Sequence, residues 1–540
     1  RVLLTKMYKF ILLLVIIKCL YCEESGPIVI TKKGAIKGLQ GKDGFIMFLG
    51  VPYALIDESN PFGAALPHPG FNETYEAFDD SIACPQTTRS GALLGTMQCL
   101  QLNIYVPNNA NLSNKVPVMV YIHGGSFIRG SKAIENLSPK FLIRNDVIIV
   151  SINYRLGPYG FICVSAPGYS NQGLKDQVLA LTWVKDNIEA FGGDSSKITA
   201  IGQSAGAMTL DLQLLTNKNL VQRVIIQSGT ALTTWVIGRR NDSIPVNLAS
   251  KLGYSGNDVH GALHYLADKE PMDIIKAGVD TGISNAHPLT KPCVEIVGED
   301  AYLTDFPVNL QPQVKGMDIM IGHTNKEVMF IYPRESNKEY YENYRFAEEL
   351  EQGFDNVYDE DNVRHFYTGD KVLSVETQNE VFDFATDFVF AYPAERTVNR
   401  YLEAHANKVY RYLFAYEGGR NRNKVLGNFT APGACHGDDL GYLFEMEIFK
   451  GGVPNEDDHK MIDVMTTMWT NFAKYGDPTP SLTDIITTQW EPTKPGSTRR
   501  PYLLLNQPIT LEYRLFHRRM AFWELYYKLY KNEERGFNRK

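Results

Sequence analysis

Ser204, Glu327 and His436 are the residues through which this sequence suggests chemistry. A serine hydroxyl becomes a nucleophile when an imidazole takes its proton, and a carboxylate makes the imidazole effective by fixing its tautomer and stabilising its cation. Ser204 stands in Gly202-Gln203-Ser204-Ala205-Gly206, a G-x-S-x-G. Alone the pattern is weak, because glycine makes up about 7% of ordinary sequences and chance matches occur in long chains. Its setting is more specific. "KITAIGQ" runs into it with the look of a strand, and "AGAMTLDLQLL" leaves it as a helix former. The serine therefore belongs on a sharp strand-to-helix turn, where strained backbone angles demand small neighbours. The helix N-terminus that follows favours negative charge at the reacting centre.

The chain has eleven histidines that could serve as the base. His436 lies in "APGACHGDDLGYLF", a glycine-rich loop downstream of the strand-like "KVYRYLF", where a sheet would present a catalytic loop. Without a serine partner it would read as a surface-loop histidine. Glu327, in "IGHTNKEVMF", follows "MDIMIG" at its C-terminal end, the side on which open α/β sheets place their active sites. Spacing alone leaves it balanced against a solvated surface charge. The oxyanion of a tetrahedral intermediate needs preorganised N–H donors. Ala205, just after the serine, supplies one. "HGGSF" (123–127), just after the run "KVPVMVYI", supplies the amides of Gly125 and Ser126.

These groups must be carried by a scaffold, and the scaffold is legible. "KVPVMVYIH" (115–123), "DVIIVSINY" (146–154), "KITAIGQ" (197–203), "RVIIQS" (223–228), "MDIMIG" (317–322) and "KVYRYLF" (408–414) are near-continuous apolar runs, as expected of strands buried on both faces. Between them, residues 174–191 place Val178, Leu181, Val184 and Ile188 on one helical face. Alternating strand and helix predicts an α/β fold, a large, mostly parallel central sheet with helices on both faces. A small antiparallel meander is predicted in the first 50 residues, and helical excursions near the active site over about 240–310 and 330–405. No repeat or linker divides the chain.

Residues 7–22 have a lysine, an apolar stretch and then small and polar residues, the pattern of a secretory signal, with 1–6 reading as upstream read-through. The expectation is one domain over 23–540, secreted, with no membrane anchor. Cys84 and Cys99 form the natural disulfide pair on that route, while Cys163, Cys293 and Cys435 read as small buried thiols. Asn72, Asn111, Asn136, Asn241 and Asn428 begin N-x-S/T sequons open to glycosylation. The formal net charge of −7 has no basic footprint, which argues against nucleic acid as a partner. No metal and no cofactor is expected.

Beyond these residues, "SINYRLGPYGF", "NQGLKDQVLALTWVKDNIEAFGGDSSKITAIGQSAGA", "VIIQSG", "HGDDLGYLF" and "WTNFAKYGDPTP" are landmarks spread over about 28–525. Through them the chain resembles the type-B carboxylesterases, the cholinesterase-like branch of the α/β-hydrolases. The resemblance implies an α/β-hydrolase fold, an ester substrate, Ser204, Glu327 and His436 as triad, and Gly125, Ser126 and Ala205 as oxyanion donors. It also implies a Cys84–Cys99 disulfide and a supporting place for Ser228. The chain departs from that pattern at three places. Ser126 replaces a third glycine. Met97-Gln98 replaces an acidic pair that would meet Arg155. Tyr254 and Ala262 stand where a further disulfide would be expected.

The loop between Cys84 and Cys99 has no tryptophan, which speaks against choline esters, since these are held by cation–π attraction there. Gln203, together with Gly433, His436 and Asp439, is similar to juvenile hormone esterases and other insect carboxylesterases. Small to medium lipophilic esters are the leading substrate expectation, with juvenile hormone as the narrower one. The rival from another class is a catalytically silent, neuroligin-like binding protein. A lipase reading has no lid signature to support it.

Overall fold

The computed structural model describes residues 25–536, apart from 42, 217–219, 283–288, 297, 299–300, 333–336 and 358. The proposed signal at 7–22 lies outside the described residues. A single 13-stranded sheet runs through the molecule. Its longer strands are β1 (Ser25–Thr31), β2 (Gly34–Gln40), β3 (Phe45–Pro52), β4 (Gln101–Pro107), β5 (Val116–Ile122) and β6 (Ile148–Ile152), then β7 (Gly193–Gln203), β8 (Arg223–Gln227), β9 (Asp318–Thr324), β10 (Lys408–Phe414), β11 (Pro501–Leu505) and β12 (Thr510–Tyr513). Their spatial order is β1-β2-β3-β4-β6-β5-β7-β8-β9-β10-β11-β12, and the short strand Tyr75–Glu76 pairs beside β2.

The block from β6 to β11 is parallel throughout. The edges, β1 to β4 on one side and β12 on the other, are antiparallel. All six apolar runs are strands of the parallel block, and the first three strands are the predicted meander. Strands β4, β11 and β12 were not foreseen, because their runs carry no distinctive pattern.

Alternation along β5 shows why its run is continuously apolar. Val118, Val120 and Ile122 enter one buried cluster, while Met119 and Tyr121 enter another on the opposite face. Successive strand residues point to opposite faces, so a sheet covered on both sides needs apolar residues at every position. Helix α1 (Gln172–Asn187) covers the first face with Leu181 and Val184. On the second face α10 (Glu456–Tyr475) packs Met465, Trp469 and Phe472. Between them in sequence lie α2 (Ala205–Gln213), α3 (Ser243–Lys251), α4 (Val259–Ala267), α5 (Pro271–Asp280), α6 (Phe346–Gly353), α7 (Glu360–Thr368), α8 (Gln378–Thr386) and α9 (Tyr392–Glu403). Helices α3 to α5 and α6 to α9 are the two predicted excursions. A π-helical turn, Asp387–Ala391, joins α8 to α9. Helix α11 (His517–Leu529) follows β12.

Cys84 and Cys99 are disulfide-bonded, as expected. Cys163 and Cys293 correct the sequence reading. They are not free thiols but a second disulfide, closing 130 residues of chain. Their separation hid the pairing, since only the packing of 293 against the segment after β6 brings them together. Among the described residues Cys435 is the free cysteine, and it is buried. At the position once expected to hold a cysteine, Tyr254 instead bonds Asp258, and Ala262 is buried in its own small cluster.

Arg155 is fully buried but not left unpaired. Its guanidinium forks onto Asp176 at 2.8 and 2.7 Å and also donates to the carbonyls of Pro61 and Gly63. Gln98 bonds Ile56 and Glu58 instead. No helix among the described residues is long and apolar enough to cross a membrane.

Candidate active site

β7 ends at Gln203 and α2 begins at Ala205, so Ser204 is the whole of the turn between them. It holds φ 57° and ψ −128°, a conformation costing of order 1–3 kcal/mol that survives only where its surroundings over-determine it. They do so here. The Ser204 N–H donates to the Gln227 carbonyl of β8 at 2.9 Å, and its own carbonyl accepts from Met208 at 2.9 Å. The two glycines of the motif are sites of close approach. A Cβ on Gly202 would lie 2.3 Å from the Gly206 carbonyl oxygen, and one on Gly206 would lie 2.1 Å from that of Ile122. Helix α2 can thus lie directly over β5 and β7.

The segment after β5 is equally constrained. Gly125, Ser126 and Phe127 all have positive φ, at 125°, 55° and 64°. Phe127 is fully buried against Phe161 and Trp235, and its carbonyl accepts from Gly157 at 2.7 Å. That anchor holds the loop against Ser204. Among the described residues no protein carbonyl accepts the N–H of Gly125, Ser126 or Ala205. These three amides are the predicted oxyanion donors, and they are left free as such donors must be. His123 beside them is structural. Burial pushes its imidazole down to about 4, its Nδ1 faces the Gly124 carbonyl at 2.8 Å, and its ring stacks on Tyr154.

Glu327 opens a short 3-10 turn after β9, and His436 lies in the loop after β10. The two loops are laced together. Asn325 accepts from the Ala434 N–H at 2.7 Å, and the Lys326 N–H donates to the Ala434 carbonyl at 3.0 Å. His436 Nδ1 consequently sits 2.5 Å from Glu327 Oε2, while Glu327 Oε1 accepts from the Thr324 N–H at 2.7 Å. Glu327 is fully buried. Burial opposes its ionisation, but His436, through charge and hydrogen bond, His323 and the Ser228 hydroxyl together hold its carboxyl below the usual value. An ionised Glu327 can only accept, so the proton lies on His436 Nδ1.

Ser228 is buried at φ 55°, its N–H donating to Gly322 at 2.9 Å. Its hydroxyl helps to hold the Glu327 carboxyl down, although among the described residues it makes no hydrogen bond of good geometry.

The other face of His436 departs from the simple expectation. Its Nε2 lies 3.2 Å from the Gln203 side-chain nitrogen, and no hydrogen bond joins it to Ser204 among the described residues. Two aromatic rings flank the imidazole. Phe330 stacks on it at 5.0 Å and Phe390, from the π-helical turn, tilts against it at 5.3 Å. Sequence reasoning missed both, because nothing around Phe390 signals that its segment packs on a loop more than forty residues further along. Deeper, Asp439 accepts from Gln227 Nε2 at 2.8 Å and from the Tyr412 hydroxyl at 3.2 Å, bracing β8, whose Gln227 carbonyl accepts the Ser204 N–H. A cavity of about 410 Å³ beside Leu232, Arg239 and Tyr527 has none of Ser204, Glu327 or His436 in its lining. Of the sequon asparagines, Asn72, Asn111, Asn241 and Asn428 are exposed.

Comparison with known proteins adds an independent line. The model of the Carboxylesterase family matches residues 25–523. Bile salt-activated lipase of Homo sapiens is 32% identical over 505 residues, which cover 86% of this chain and 64% of that protein, just under two thirds of its length. Juvenile hormone esterase of Tribolium castaneum is 29% identical over 515 residues, covering 86% of this chain and 85% of that one. Among solved structures, juvenile hormone esterase from Manduca sexta, with OTFP covalently attached, aligns with a TM-score of 0.79 at 25% identity, covering 94% of this chain and 100% of that chain. The mostly parallel sheet, the strained serine turn and a family match over nearly the whole described chain agree, and the protein belongs to the carboxylesterase family, an α/β-hydrolase family of carboxylic ester hydrolases.

Proposed function

We propose that this protein is a serine carboxylesterase with Ser204 as nucleophile, His436 as base and Glu327 as the orienting acid. The observation that carries this reading is the 2.5 Å bond between Glu327 and His436 Nδ1, which leaves Nε2 as the basic atom on the side of the strained serine turn. Ser204 Oγ attacks the ester carbonyl while its proton passes to His436 Nε2. The carbonyl oxygen gains the negative charge and is met by the amides of Gly125, Ser126 and Ala205. The imidazolium, stabilised by Glu327, returns the proton to the departing alcohol. Water then repeats the sequence on the acyl-enzyme, releasing the acid and restoring Ser204.

Phe330 and Phe390 place apolar surface against the base, which supports small to medium lipophilic esters as substrates. A juvenile hormone ester is the narrower reading, supported by Gln203 and by the two juvenile hormone esterases among the relatives. The disulfides and exposed sequon asparagines support secretion and glycosylation. The unbroken sheet from Ser25 to Tyr513 supports a single catalytic domain.

The test is Ser204→Ala with a naphthyl ester and an organophosphonate probe. Loss of turnover by at least ~10³-fold and of the covalent adduct, in a folded variant, is expected. Unchanged turnover overturns the serine assignment. A wild-type chain that forms no adduct would instead favour the silent binding protein.

A further inference from the structure

The Gln203 amide occupies the one atom of His436 that the proposed reaction needs. The carboxylate of Glu327 fixes the proton on Nδ1, so Nε2 presents a lone pair, and the Gln203 side-chain N–H at 3.2 Å is its donor. This contact is built in. Gln203 is buried, and its backbone pairs with Gln227 of β8. Its side chain lies between two residues without a Cβ. One added at Gly437 would sit 3.2 Å from the amide nitrogen, and one at Gly124 3.1 Å from the amide oxygen. We propose that Gln203 is a positioning residue that caps the Nε2 lone pair of His436 in the resting site, so that Ser204 gains its base only by taking the place of the amide.

This rests on the triad reading above. Two consequences follow from the geometry. A single lone pair serves one strong donor at a time, so resting Ser204 is held back, and loss of the amide leaves Nε2 open to the Ser204 hydroxyl. The charged and titratable groups around His436 are Glu327 at Nδ1, His323 beyond Glu327 on β9, and Cys435 and Asp439 from its own loop. From β7 it meets the uncharged Gln203, and the rings of Phe330 and Phe390 pack against it.

The experiment compares full-length wild type, Gln203→Ala and Gln203→Glu. It reads the acid limb of kcat/KM for p-nitrophenyl acetate and, on the plateau above it, the inactivation rate by a small organophosphonate. Removing the donor is expected to move the acid limb up by about 0.5 pH unit in Gln203→Ala and by about 1 unit in Gln203→Glu, where a carboxylate faces the imidazolium. The plateau inactivation rate of Gln203→Ala is expected to rise roughly threefold or more as the lone pair is freed. Acid limbs that stay at the wild-type position in both variants overturn the proposal, as does a slower plateau inactivation of Gln203→Ala with an unmoved limb. If Gln203→Ala does not fold, Gln203→Met, which keeps the side-chain length but has no donor, takes its place with the same two readouts. Failure of the triad reading looks different, since Ser204→Ala would then keep its turnover.

Discussion

Lys326 and Cys435 pair as a single parallel bridge between the loops that follow β9 and β10, and each stands one residue ahead of a proposed catalytic group. That bridge sets Glu327 opposite His436. It converts two neighbouring strands into one acid–base pair, because parallel strands end on the same side of the sheet and a short bridge there aligns what comes next.

Replacing Glu327 by Gln keeps the shape but presents an amide where a carboxylate accepts the Nδ1 proton. The imidazole then loses its fixed tautomer and the support for its cation. A fall in kcat of about 10³ to 10⁴-fold is expected, with the thermal unfolding midpoint within a few degrees of wild type. Steady-state kinetics on a naphthyl ester and a melting curve check this.

Gly206→Ala attacks the turn itself. Its Cβ would fall 2.1 Å from the Ile122 carbonyl oxygen, which is backbone in the middle of the sheet and cannot yield cheaply. Destabilisation of about 3 kcal/mol or more is expected, with loss of activity even in the folded fraction, read by urea unfolding.

Asp439 gives a pH dependence with a defined sign. Burial pushes its carboxyl up to about 6, partly offset by the Gln227 bond, from an ordinary 3.8. Between those values the folded state binds more protons than the unfolded one, so stability from this group falls as pH rises through the window. Asp439→Asn removes that slope. The difference in unfolding free energy between wild type and variant is expected to change by about 2 kcal/mol from pH 4 to pH 7, with wild type relatively more stable at the acid end. Urea titrations across that range measure it.

The two disulfides differ in the chain they close, 130 residues for Cys163–Cys293 and 15 for Cys84–Cys99. Loop-closure entropy grows with the logarithm of length, so replacing Cys163 and Cys293 by alanine is expected to cost about 2 kcal/mol more than replacing the shorter pair. Denaturant midpoints of the two double variants give the comparison.

Gln203 shows where sequence reasoning reached its limit. Its place before the serine was evident, but its contact with His436 joins β7 to a loop that follows β10 and depends on the twist and stagger of the sheet between them. Phe390 is similar. Its segment reads as helical, yet only a π-helical turn, and the packing of that turn on the catalytic loop, brings the ring against the imidazole.

The sequence by itself determined the parallel strands and the serine turn, while Glu327 and His436 entered as proposed partners of Ser204 with the support of the family resemblance. Burial on both faces forces apolar residues into every strand position, and strained or closely packed turns force glycine, and both constraints are local enough to be written in consecutive residues. The tertiary structure alone decided how distant segments meet. It paired Cys163 with Cys293, gave Arg155 the carboxylate of Asp176, and set Gln203 rather than Ser204 on His436 in the resting site. These contacts depend on the relative placement of segments that are remote in sequence or tied to the sheet's geometry, and no short pattern of residues encodes that placement.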